Sequence, residues 1–166
     1  MTTALYVGRF QPLHNGHVRV ISNILEECDN LIIVIGSSQK CDNVRDPLPY
    51  IVRRRLLITA LKNYGVDEKR YKIYPVRDFG DDTLWIDYIY KHIPKFDAIY
   101  TGNPWLLKLF KYHSVQLVML SRYKHISGTM IRSRIRKNKS WDHLVPKNVS
   151  IYIKRYGLWK KRGGIW

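Results

Sequence analysis

Short apolar runs alternate with amphipathic stretches, and this rhythm constrains the fold more than any other feature of the chain. Ala4–Val7 is an apolar run ended by Gly8, and from about Asn15 the residues Val18, Ile21, Ile24 and Leu25 recur at helical spacing on one face. Leu31–Ile35 is continuously apolar, as a strand buried on both faces of a parallel sheet must be. Residues 37–49 are polar, carry two prolines and read as a loop. Arg54–Tyr64 reads as a basic amphipathic helix with Leu57, Ile58 and Leu61 together. Tyr71–Val76, Ala98–Thr101 and Val115–Leu120 read as three further strands, separated by helical patterns at Leu84–Ile93 and Trp105–Tyr112. Ser127–Lys137 and Val149–Lys160 close the chain as helices. Five strands alternating with helices predict an α/β fold with an open parallel five-stranded sheet and helices on both faces.

At 166 residues the chain has a single-domain length, enough to bury roughly 70% of its unfolded surface. With no repeat or linker to divide it, one domain is expected over 1–166: a core to about 138 and a basic helical C-terminal extension over 139–166. Two cysteines, Cys28 and Cys41, make neither a disulfide framework nor a zinc-like spacing. The opening MTTALYVGRF is interrupted by Arg9, unlike a signal peptide. No apolar run approaches the roughly 20 residues of a membrane span, so a soluble, cytoplasmic protein is expected. The formal charge is +16, and it is uneven. Residues 1–121 carry 16 basic and 12 acidic side chains, residues 122–166 carry 13 and 1. That balance points to polyanions: nucleic acid, anionic lipid or phosphate-bearing small molecules.

In open α/β sheets ligands bind beyond the carboxyl ends of the strands, where strand order reverses. The informative segments are therefore 8–17, 36–46, 77–85, 101–104 and 121–132. In the first, Gly8-Arg9-Phe10-Gln11-Pro12-Leu13-His14-Asn15-Gly16-His17, Gly8 turns the chain off the strand and Gly16 permits close backbone approach at a helix start. A helix N-terminus favours phosphate. His14 and His17, three apart, would point the same way and, with Arg9, neutralise charge developing in phosphoryl or nucleotidyl transfer. Two histidines at that spacing are often surface decoration, so the pair alone is a weak signal. The dinucleotide fingerprint G-x-G-x-x-G is absent, which argues against a plain dehydrogenase.

The ten-residue string is far more specific than its histidines. Gly8–His17 resembles the extended H-x-G-H signature of nucleotidyltransferases, in the spelling typical of nicotinamide-nucleotide adenylyltransferases of the short archaeal type. Ile35-Gly36-Ser37-Ser38-Gln39 resembles the IGSxQ of that family, Arg45-Asp46-Pro47 its RDP, and Thr83–Ile86 its LW segment. Thr101-Gly102-Asn103-Pro104 is similar to its (S/T)GNP, and Ile126–Arg132 to its ISGTxIR. Trp141 with Leu144-Val145-Pro146 fits its closing helix. The matches run in order from residue 5 to about 146. One departure follows Pro47: the family often has a T-x-x-E-R run, where this chain reads Leu48-Pro49-Tyr50-Ile51-Val52-Arg53.

The resemblance implies a Rossmann-like domain joining ATP and nicotinamide mononucleotide (NMN) to give NAD and pyrophosphate, by in-line attack of the NMN phosphate on the α-phosphate of ATP. The nucleophile is already an anion, so alignment and charge neutralisation are what the protein must supply. Mg²⁺ would arrive mainly on the triphosphate, and no protein metal site is expected. On this reading His14, His17 and Arg132 are catalytic. Gly8, Arg9, Phe10, Gly16, Thr101, Gly102, Asn103, Ser127, Gly128, Thr129 and Arg132 serve ATP and its phosphates. Phe10, Gln11, Ser37, Arg45, Asp46 and Trp85 serve NMN, with Ser38 beside Ser37. A homo-oligomer, a hexamer, is also implied.

Each role has a structural alternative. Ser127 suits an ordinary N-cap, Asp81 or Asp82 a helix cap as well as a carboxamide acceptor. Trp85, Tyr88 and Ile89 make an i, i+3, i+4 stripe that by pattern belongs to a core; the resemblance instead assigns Trp85 to nicotinamide stacking. Arg53, Arg54 and Arg55 read as surface or interface charge. His92, His113, His125 and His143 have no catalytic context, although His125 adjoins Ile126. Two rival functions are a nucleic-acid module using the basic C-terminal helices, and a nucleotidyltransferase of the same fold acting on another phosphate such as flavin mononucleotide. The first lacks any recognisable nucleic-acid signature; the GRFQP spelling and the Trp85 segment favour nicotinamide over the second.

Overall fold

The computed structural model describes residues 1–41, 43, 45–120 and 126–160. His125, Lys161 and Arg162 lie outside them.

Five parallel strands form one sheet: β1 (Thr3–Gly8), β2 (Asn30–Ile35), β3 (Tyr71–Pro75), β4 (Ala98–Thr101) and β5 (Gln116–Met119). Their spatial order is β3-β2-β1-β4-β5. The chain builds outward from β1 on one side, then returns to β1's other flank with β4, so strand order reverses between β1 and β4. The crevice at their carboxyl ends is the ligand position expected of such a sheet.

Period-2 alternation sorts the side chains. Ala4, Tyr6, Leu31, Ile33 and Ile35 face one apolar core, together with helices α1 (Asn15–Glu27), α2 (Tyr50–Asn63), α5 (Gly128–Arg136) and α6 (Lys147–Tyr156). Leu5, Ile32, Val34 and Ile99 face a second, covered by α3 (Asp82–His92) and α4 (Pro104–Phe110). In α1 the residues Val18, Ile21 and Ile24 are completely buried, each burial contributing roughly 1.5–3 kcal/mol.

Helix ends follow local chemistry. Pro49, Asn103 and Pro104 mark the starts of α2 and α4, Ser127 caps α5 with its Oγ accepting from Met130 N–H at 3.2 Å, and Gly157 at φ 60° ends α6. The α2 pattern begins four residues before the expected Arg54, because Pro49 sets the boundary and Arg53 itself is on the buried face. The C-terminal helix is joined to the core: Val149, Ile153 and Trp159 are buried in the same cluster as β1 and α1, and Asn148 donates to Leu56 O at 2.9 Å. None of the helices, among the described residues, is long and apolar enough to cross a membrane.

Candidate active site

The turn from β1 into α1 is closed by the two histidines themselves. His14 is the N-cap of α1, and its Nδ1 accepts from His17 N–H at 3.3 Å; His17 Nδ1 accepts in return from His14 N–H at 3.2 Å. This is a capping box in which imidazoles replace the usual Ser and Glu. With both Nδ1 atoms accepting, each neutral ring carries its proton on Nε2, a donor that these two bonds leave unused. The rings stack at 3.5 Å between centroids, and Phe10 packs on His17 at 4.8 Å. Burial holds His14 down at about 4, and burial together with the adjacent His14 holds His17 well below the ordinary histidine value.

Two glycines permit this packing. A Cβ on Gly16 would lie 3.1 Å from His14 Nδ1, and one on Gly128 would lie 3.0 Å from the carbonyl oxygen of Gln11. The second contact shows that α5 docks directly on the loop after β1. Arg132, one turn into α5, reinforces it: Nη1 donates to Gln11 O at 2.5 Å and Nη2 to Thr129 Oγ1 at 3.1 Å. Ser127, Gly128 and Thr129 thus open a helix beside the histidines.

Positive charge converges here. Arg132 is buried, and its guanidinium is pushed down from its usual value first by that burial, then by the fields of Arg9 and Arg45. Arg9 pairs with buried Asp46 at 3.3 Å. Arg9 and Arg45 thus both act on Arg132, with Asp46 the opposing carboxylate, and such a cluster could receive an anion. Arg45 is exposed, its N–H held by Asn43 Oδ1 at 2.9 Å.

The remaining expected residues divide into several settings. Thr101 is buried at the end of β4, its Oγ1 accepting from Asn103 N–H at 3.0 Å, and Asn103 caps α4 through Trp105 N–H at 3.1 Å, with Gly102 between them. Ser37, at φ 49°, donates to Asp78 Oδ1 at 3.0 Å, and Asp78 also pairs with Lys40 at 2.6 Å. Gln11 is buried with its carboxamide occupied at both ends by Leu48: Nε2 donates to the carbonyl at 2.8 Å and Oε1 accepts the N–H at 3.2 Å. That geometry ties the β1 loop to the start of α2. Asp81 caps α3 by accepting from Leu84 N–H at 2.9 Å.

Trp85 and Arg53 both prove to be buried. Trp85 is 5% exposed and sits in the second core, edge-on to Trp105 at 5.2 Å and to Phe110 at 6.2 Å. This is the buried face of α3 that the i, i+3, i+4 stripe predicts. The open ring is Trp105, 38% exposed, with its Nε1 donating to Asp82 Oδ1 at 3.0 Å. The expectation that needs correction is Arg53, read from the sequence as surface or interface charge. It is 1% exposed, and its guanidinium donates to the carbonyls of Arg9, Gly36 and Ser37 at 3.0, 2.8 and 2.9 Å. The signal was available: Arg53 stands where the T-x-x-E-R run places its arginine, and it lies three and four residues before buried Leu56 and Leu57.

With this geometry in view, comparison with known proteins is informative. The cytidylyltransferase-like family profile matches residues 5–134. The nicotinamide-nucleotide adenylyltransferase of Pyrococcus furiosus is 36% identical over 157 residues, covering 93% of this chain and 84% of the relative. That of Methanosarcina acetivorans is 39% identical over 159 residues, covering 93% and 88%. The chain belongs to the nicotinamide-nucleotide adenylyltransferase family. A bifunctional NMN adenylyltransferase/ADP ribose pyrophosphatase from Francisella tularensis shares the fold, with a TM-score of 0.81 at 22% identity. The match covers 93% of this chain and 49% of that one, so this chain spans about half its length. A second structure of that Francisella enzyme, complexed with AMP and a manganese ion, superposes with a TM-score of 0.76 at 20% identity. For a member of the adenylyltransferase family, the crevice between β1 and β4 is the place to seek the nucleotide.

Proposed function

We propose that this protein transfers the adenylyl group of ATP to nicotinamide mononucleotide, forming NAD and releasing pyrophosphate. The observation that carries the reading is the convergence of His14, His17 and Arg132 on one helix-opening turn, within a chain of the adenylyltransferase family. The NMN phosphate oxygen forms a bond to the α-phosphorus of ATP while the bond from that phosphorus to the pyrophosphate oxygen breaks. Negative charge builds on the non-bridging α-phosphate oxygens and on the leaving group. The Nε2–H donors of His14 and His17 meet the former, and Arg132 with the first-turn N–H groups of α5 at Ser127–Thr129 meets the latter. None of these steps requires the imidazoles to be charged.

On this reading Gly8 and Gly16 shape the phosphate cradle. A Cβ on Gly8 would fall 2.8 Å from the Phe10 ring. Thr101, Gly102 and Asn103 flank the adenylate on the far side of the crevice. Arg9, Arg45 and Asp46 form the mononucleotide phosphate side, with Phe10, Gln11 and Ser37 holding its walls and the Trp85–Trp105 pair bounding the nicotinamide. ATP enters as its Mg²⁺ complex. A cation carried on the triphosphate needs few protein carboxylates. The protein works in the cytoplasm as a homo-oligomer, a hexamer by family likeness. The exposed apolar side chains of Ile51, Ile151 and Tyr156 on α2 and α6 support a contact there. The basic helical extension packs as part of the same domain as the core, a reading supported by the burial of Val149, Ile153 and Trp159.

The deciding experiment incubates the protein with ATP, Mg²⁺ and NMN, and measures both pyrophosphate and NAD. Parallel reactions replace NMN with flavin mononucleotide or omit Mg²⁺. NAD formation dependent on all three components is expected. Pyrophosphate release with flavin mononucleotide but not with NMN would overturn the acceptor assignment.

A further inference from the structure

Arg53 is a fully buried cation that contacts none of the acidic side chains among the described residues at ion-pair distance. Its three hydrogen bonds all go to backbone carbonyls, of Arg9 in the loop after β1 and of Gly36 and Ser37 in the loop after β2. Its Nε is buried without a partner among the described residues. An arrangement that leaves a guanidinium desolvated and partly unsatisfied is a poor way to stabilise a fold, which points to a different use.

The joined loops supply one. Both contain a non-glycine residue in the left-handed region, Phe10 at φ 53° and Ser37 at φ 49°. Arg53 holds the carbonyl just before the first and the carbonyls just before and at the second. Such backbone persists only where its surroundings over-determine it. The guanidinium is itself fixed, because it projects from the same face of α2 that buries Leu56, Leu57, Ala60 and Leu61. Phe10 in turn packs on the His17 ring, and Ser37 leads to Asp78 and Lys40.

We propose that Arg53 is a positioning residue for the adenylyl transfer, fixing the loop that carries Arg9 and the histidine turn at a set distance from the loop that carries Ser37. The proposal rests on the function given above. With the two loops locked, the acceptor phosphate is held in line with the α-phosphate; with them unlocked, binding persists but alignment is lost. Arg53 touches neither substrate.

The test uses the full-length protein and the variants Arg53→Lys and Arg53→Ala, with wild type measured alongside. Arg53→Lys keeps the charge but presents its donors from a single nitrogen, without the planar fork whose Nη1 and Nη2 divide the three carbonyls. It should melt cooperatively near the wild-type temperature, while kcat falls by roughly 10²-fold, the scale of a small misalignment of reactants. In Arg53→Ala, millimolar guanidinium ion should restore part of kcat, and methylammonium should not. Arg53→Lys with kcat and both KM values within about twofold of wild type would overturn the proposal. So would loss of the cooperative melt in Arg53→Lys, because the residue would then be holding the fold as a whole. Wild type inactive with ATP and NMN would instead bring down the functional reading, and the proposal with it.

Discussion

The imidazoles of His14 and His17 stack at 3.5 Å with an interplanar angle of 20°, and each accepts the other's backbone N–H through Nδ1. One arrangement therefore starts helix α1, fixes both tautomers and leaves two Nε2–H donors side by side. Structural and chemical duties fall on the same atoms, and substitutions can separate them.

His14→Asn tests that separation. Asparagine is a strong N-cap, so the helix start survives while the Nε2–H donor disappears. We expect kcat to fall by about 10²–10³, the effect of removing one donor to a developing oxyanion, with the melting temperature little changed. His17→Ala should lose kcat on the same scale. Steady-state kinetics beside thermal melts check both, and near-normal kcat in a folded variant would exclude the donor role.

The same pair should make the free protein acid-sensitive. Burial lowers His14 from 6.5 to about 4, and His17 shifts in the same direction. Between these values the unfolded chain binds more protons than the folded one, so stability rises with pH across the window and is lost as pH falls from about 6.5 towards 4. For His14 alone the difference amounts to about 3 kcal/mol at the acid end. Urea melts of the ligand-free protein from pH 7 to pH 4 measure it. His14→Asn should flatten the curve, and an unchanged slope would show that His14 titrates normally.

Glycine positions give a third test. Gly16 is in the first turn of α1, where alanine is otherwise favourable, yet its Cβ would sit 3.1 Å from His14 Nδ1. Gly16→Ala should displace the imidazole and lower kcat by about tenfold or more without a large loss of stability. Gly128→Ala meets a backbone carbonyl at 3.0 Å. It should move the start of α5 away from the β1 loop and raise KM for ATP more than for NMN.

Much of the site was legible because it lies in contiguous stretches. His14, Gly16 and His17 belong to one turn, and Ser127 to Arg132 to another, so spacing alone puts each group on a helix start. The sheet was legible for the same reason: Leu31–Ile35 is apolar throughout because α helices cover both its faces. Arg53 was not. Its partners are carbonyls 16, 17 and 44 residues away, and a basic run of three arginines looks solvated until the position of α2 is known. Trp105 was hidden differently: its exposure depends on how α3 and α4 pair across the second core, which no local pattern encodes.

The tryptophan pair makes the last prediction, and its two members should behave oppositely. Trp85 is buried against Trp105 and Phe110 in the second core. Trp85→Ala should destabilise the protein by roughly 3–5 kcal/mol, the usual cost of emptying a large aromatic site, and any loss of activity should follow the loss of folded protein. Trp105 is partly open, and its indole is held to Asp82. Trp105→Ala should leave the melt nearly unchanged and raise KM for NMN, since an electron-poor nicotinamide ring gains from an exposed aromatic face. Asp82→Asn, which weakens the grip on the indole, should shift KM for NMN in the same direction by a smaller factor. Thermal melts and NMN titrations on all three variants decide the matter. A stable Trp85→Ala with selectively weakened NMN binding would assign the stacking role to Trp85.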